Sequence, residues 1–155
     1  YRPTTNYANG DLAVVHEMLD HPNTLIGLGD GGAQVGVMCD ATDMAHTISY
    51  WTRDRTRGPK HRLEDMVRRL SWNNAAAIGL SDRGRIAPGL RADINIVDYD
   101  ALTLQSPKIN YDLPAGGKRL LQQATGIDAT LVAGQVVWRD GVATGALPGR
   151  LLRSG

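Results

Sequence analysis

Gly84-Arg85-Ile86-Ala87-Pro88-Gly89-Leu90-Arg91-Ala92-Asp93-Ile94 is the stretch on which the fold reading turns, because the hydrophobic pattern changes period there. Upstream, apolar residues recur every three or four positions, as on one face of a helix. Downstream they alternate, as along a half-buried strand.

Working back from Gly84, Leu12, Val15, Met18 and Leu19 share a helical face after Asp11, a candidate N-cap, with Pro22 just beyond the end. Residues 24–28 (TLIGL) read as a short apolar strand, closed by Gly29-Asp30-Gly31-Gly32. A second helix is expected from about Asp43 to Arg53. A third runs from Leu63 to Leu70, and Ser71 can cap a short one that stops at Gly79. Working forward, residues 92–99 (ADINIVDY) alternate Ile94 and Ile96 with polar neighbours. Residues 128–132 and 135–139 form a hairpin candidate around Ala133-Gly134, with a further turn at Asp140-Gly141. Residues 106–117, rich in Pro and Gly, read as loop.

The chain has 155 residues, enough for one domain with a core or for two incomplete ones. With 42% hydrophobic residues, 21% charged residues and a net charge of +1, it has the profile of an ordinary globular protein. No bulk attraction to nucleic acid or to an acidic membrane follows. The basic stretch Arg53, Arg55, Arg57, Lys60, His61 and Arg62 is interrupted by Asp54 and followed by Glu64 and Asp65, which suits a solvated loop better than a nucleic-acid surface. One cysteine, Cys39, rules out an intramolecular disulfide framework and makes a reducing compartment, the cytoplasm, the default expectation. The first residues include neither an initiator Met nor a signal-peptide core, and no run of about 18 apolar residues could span a bilayer. The expectation is a piece of a longer protein.

Few residues suggest chemistry by themselves. Asp30, directly after an apolar strand and inside a glycine loop, sits where α/β barrels place catalytic groups. From local pattern alone, an Asp that bonds its own backbone in a turn is the commoner outcome. The histidines, His16, His21, His46 and His61, make no H-x-H or H-E-x-x-H pair, and surface or core positions are favoured for each. His46 is kept as a pocket candidate because it follows the Asp30 loop, and Arg53 as a contact for a substrate carboxylate.

Several stretches together resemble a known family. The 24–30 strand with its DGG loop, residues 50–55 (YWTRDR), residues 82–94, the D-G-V-A-T-G run at 140–145 and Pro148-Gly149-Arg150 resemble the C-terminal region of N-acyl-D-amino-acid deacylases, the D-aminoacylase branch of the metal-dependent amidohydrolase superfamily. The resemblance implies an α/β plus β chain: the C-terminal end of a TIM-like metallo-hydrolase barrel over residues 1–83, followed by most of a small β-sandwich over residues 84–155. It implies zinc as cofactor in the full-length enzyme and a small-molecule N-acyl amino acid or related amide as substrate. Asp30 takes the catalytic role after the last barrel strand, and is a possible metal ligand. Many relatives carry His where Gln34 stands, and an amide cannot shuttle a proton as imidazole does, so Gln34 is at most a substrate contact. A complete barrel needs about 250 residues, and the family's H-x-H pair is missing here. The chain is therefore expected to be inactive alone, and its uncovered apolar surface to favour homo-oligomers. The alternatives are a non-catalytic structural module, or an amidohydrolase acting on cyclic amides or deaminating a base.

Overall fold

The computed structural model describes residues 11–27, 29, 36 and 39–152. Helix α1 (Ala13–Asp20) begins where the Asp11 carboxylate accepts the Ala13 N–H at 2.9 Å. It ends at His21, whose backbone is extended because the following Pro22 disfavours helical geometry. Residues 24–27 form no strand, contrary to the sequence expectation, and Leu28 lies outside the described residues. A strand exists only through a partner ladder, and no described segment supplies one. Ile26 is nevertheless buried, at 7% exposure.

Two helical runs follow, each interrupted by a widened turn. Asp40–Thr42 is a 3₁₀ turn leading into α2 (Asp43–Ser49), and the chain then loosens into π geometry at Tyr50–Asp54. Likewise α3 (Leu63–Arg68) passes through a π turn at Arg69–Asn73 into α4 (Asn74–Ala77). Side-chain hydroxyls contribute to both: Thr52 Oγ1 donates to the Ile48 carbonyl and Ser71 Oγ to the Val67 carbonyl, each at 2.6 Å. Ser71 therefore caps no separate helix; it bonds backward within a continuous one. Gly79, at φ +77°, stops the run as expected. Ile26, Trp51 and Met66 form the core of this half, with Val15, Leu19, Ile48, Tyr50 and Leu70 packed around them.

The later half is β. Strands β1 (Ile94–Val97), β6 (Ile127–Val132), β7 (Gln135–Arg139) and β8 (Val142–Ala143) form an antiparallel sheet in the order β1-β6-β7-β8. β2 (Thr103–Leu104) pairs with β5 (Ala124–Thr125), and β3 (Lys108–Leu113) with β4 (Gly117–Leu121). The β3–β4 hairpin overturns the loop reading of residues 106–117. Its Pro and Gly are turn residues, with Ala115 and Gly116 at positive φ between two real strands. Ile96 is 50% exposed and Val142 68%, so this sheet leaves part of its apolar surface uncovered.

The 84–94 stretch is the joint between the halves. At Gly84, φ is +89°, and a Cβ there would lie 2.9 Å from the Trp72 Cα. Glycine is therefore required for this close approach. The Asp93 carboxylate accepts Arg83 Nη1 at 3.0 Å, Arg91 Nε at 2.9 Å and the Ala133 N–H at 2.8 Å, which caps the β6–β7 turn. Partial burial works against its charge, but the Ala133 N–H, Arg91 and Arg83 outweigh that and hold the carboxyl below its ordinary 3.8. A depressed folded-state value adds stability that is fully present above the unfolded pKa and is lost as pH falls through the folded-state one. Asp93→Asn is expected to cost about 1 kcal/mol at pH 7. The gap between wild type and variant should close as pH drops below about 4, which thermal denaturation at pH 7 and pH 3 would check.

Candidate functional site

Asp30 and Gln34 lie outside the described residues. The described residues just before them in sequence are anchored. The Ile26 carbonyl accepts Asn74 Nδ2 at 2.6 Å, which ties residues 24–27 to the start of α4.

Arg53 sits in the first π turn, and its five N–H donors are all engaged. Nη1 reaches the Tyr99 and Asp100 carbonyls, Nη2 the Leu102 carbonyl at 2.6 Å and Asp54 at 3.0 Å, and Nε Asp54 at 2.7 Å. The Asp54 carboxylate raises the guanidinium above its ordinary pKa and is itself lowered. Arg53 therefore clamps the helical half to the chain after β1, and in this arrangement no donor is left for a substrate carboxylate. Thr52 adds to the clamp, its Oγ1 lying 2.6 Å from the Tyr99 hydroxyl. His46 is exposed on α2, its ring stacked on Tyr50 at 5.3 Å between centroids.

The structure gathers a different group that the sequence reading left dispersed. His16 and Asp20 stand one turn apart on α1, and His61, whose N–H donates to the Trp51 carbonyl at 2.9 Å, reaches the same point from the loop before α3. Both Nδ1 atoms face the Asp20 carboxylate, His16 to Oδ2 and His61 to Oδ1, each at 3.4 Å. The imidazoles stack with centroids 4.1 Å apart and planes within 7°. Arg69 Nη2 reaches Asp20 Oδ1 at 2.9 Å, and Arg69 Nη1 bonds the Leu19 carbonyl. The His61 side chain is 5% exposed, and burial, followed by the neighbouring His16, pushes its pKa below the ordinary value. Both Nε2 atoms are buried without a hydrogen-bond partner among the described residues.

Trp51 lies under this cluster with the Arg55 guanidinium 4.7 Å from its ring centroid. Arg55 is 2% exposed, so the cation–π contact and a 3.5 Å bond to the Tyr50 hydroxyl stand in for the water it has lost. The spacing of His16 and Asp20 was the one local signal for the cluster.

The sequence profile of the amidohydrolase family matches residues 5–138. A 5-methylthioadenosine/S-adenosylhomocysteine deaminase from Nitratidesulfovibrio vulgaris is 32% identical over 122 residues, covering 75% of this chain and 26% of the deaminase. A D-aminoacylase mutant solved in complex with copper chloride superposes with a TM-score of 0.55 at 29% identity, covering 72% of this chain and 21% of the mutant. A second D-aminoacylase structure, concerned with a binuclear metal centre, one-metal activation and second-metal attenuation, gives 0.50 at 28% identity over 66% of this chain and 19% of its own. The chain thus spans about a quarter or less of the length of the relatives it matches.

Proposed function

The chain belongs to the amidohydrolase family, and from that premise we propose that it is the C-terminal part of a metal-dependent hydrolase of the D-aminoacylase branch, which cleaves the amide bond of N-acyl-D-amino acids or related linear amides. The observation that carries this reading is the superposition on D-aminoacylase over 72% of the chain at 29% identity. The late Thr144-Gly145 and Pro148-Gly149-Arg150 pattern supports the same branch. In this reading residues 1–83 close a barrel and residues 84–155 supply most of a sandwich.

Zinc, when bound, would polarise the amide carbonyl and activate water. Among the described residues, the donor group close enough to share an ion is His16, Asp20 and His61. None of these is a position that the resemblance assigns to the hydrolytic metal, so this group does not fit that role. Asp30 is the one assigned donor that this chain carries, and the remaining ligands belong to other parts of a longer protein. Asp30 takes a proton from the attacking water and passes it to the leaving nitrogen, as amide cleavage requires. This stretch alone is inactive.

A second reading, deamination, is favoured by the 32% identical deaminase relative. The full-length protein, assayed against N-acyl-D-amino acids, their L forms, cyclic amides and aminopurine nucleosides, separates the two. Release of free amino acid from the N-acyl-D series is expected. Ammonia release from a nucleoside with no deacylation would establish the second reading instead.

A further inference from the structure

We propose that His16, Asp20 and His61 form a binding site for a borderline divalent transition metal, of the zinc, cobalt or nickel type, held between α1 and the loop that leads into α3. The inference does not rest on the hydrolase reading. It starts from spacing. An imidazole N–H donating to a carboxylate settles near 2.9 Å, whereas both Nδ1 atoms stand 3.4 Å from Asp20. Two donors that share a tetrahedral ion at bond lengths of about 2.0–2.1 Å lie about 3.4 Å apart. The observed separations are long for hydrogen bonds and run to different carboxylate oxygens, while one donor atom from each of the three residues lies within 4.8 Å of the others, a spread that a modest turn of the side chains brings to common ligation.

The donor chemistry narrows the ion. Two imidazoles and one carboxylate suit zinc, cobalt, nickel or copper, while calcium and magnesium favour all-oxygen sets. His16 and Asp20 are held in register by one helical turn, and His61 by its backbone bond to Trp51, so little order remains to be imposed on the frame. Arg69, bonded to Asp20 Oδ1 at 2.9 Å, orients the carboxylate as outer-shell partners of metal ligands commonly do. A polar cleft lined by Asp20, His21, Thr24, Asp65, Arg68 and Arg69 reaches the carboxylate from outside, on the side away from the two imidazoles. Capture requires the two parallel rings to splay toward a common point. His16, at 15% side-chain exposure against 5% for His61, is the less enclosed of the two.

Titration of the chain with cobalt(II), followed by visible d–d absorption, tests the site. A saturable band at one cobalt per chain is expected. His16→Gln and His61→Gln should each weaken binding more than about tenfold, with circular dichroism confirming that each variant is folded. If the buried His61 variant does not fold, the more exposed His16→Gln decides. No band in the wild type, or a folded His16→Gln that binds cobalt as tightly as wild type, overturns the proposal. A band that disappears in Asp30→Asn but survives both histidine variants overturns it too, and would assign the metal to Asp30.

Discussion

Asp30→Asn in the full-length protein is expected to lower turnover of an N-acyl-D-amino acid by about 10²–10⁴-fold, the usual contribution of a positioned acid–base group. Asparagine keeps the size of aspartate and one carbonyl oxygen able to accept hydrogen bonds. It cannot take a proton from water or return one to the leaving nitrogen. The loss should therefore fall on kcat, with KM little changed. Because the carboxylate is also a possible ligand, metal content must be measured on the same sample. Full metal with depressed kcat assigns proton transfer, while parallel loss of both assigns ligation. Near-normal turnover would remove Asp30 from the chemistry altogether.

Gly126→Ala should be the most damaging of the small substitutions. Gly126 joins β5 to β6 at φ +81°, and a Cβ there would lie 2.6 Å from the Leu102 nitrogen and 2.7 Å from the Ala101 carbonyl carbon. These are backbone atoms, which no side-chain rotation can move aside. The turn cannot drift away either. The Gly126 carbonyl accepts the Asp98 N–H at 2.9 Å, Thr125 Oγ1 bonds the Ala101 carbonyl at 3.1 Å, and Leu102 beneath is 1% exposed. Left-handed strain and overlap together should cost about 3–4 kcal/mol, or on the order of 10 °C in thermal midpoint for a chain of this length. Gly141→Ala is the control. It shares the positive φ, at +77°, but nothing lies within 4 Å of its Cβ, so only the conformational cost of about 1 kcal/mol is expected. Equal melting of the two variants would refute the close-contact argument.

Periodicity was the part of the fold that could be read ahead. The α1 face, the helices after Asp43 and Leu63, β1 and the β6–β7 hairpin follow from residues within a turn or two of one another, where burial of one face imposes its own spacing. The misreadings share a cause. Residue type alone points Ser71 to a cap and 106–117 to a loop, and the partners that decide them, the Val67 carbonyl and the β4 strand, are not encoded in type. Residues 24–27 failed as a strand for the converse reason, since an apolar run does not supply the ladder that would pair with it.

The sequence by itself determined the family, through the 84–94 element and its companions, because those glycines and Asp93 answer local backbone demands that leave a readable signature. Only the tertiary structure decided that Arg53 bonds carbonyls after β1, and that His61 closes on His16 and Asp20. Such meetings depend on how helices cross and loops return. That geometry is set by packing around Trp51 and Met66, which no single segment of the chain specifies.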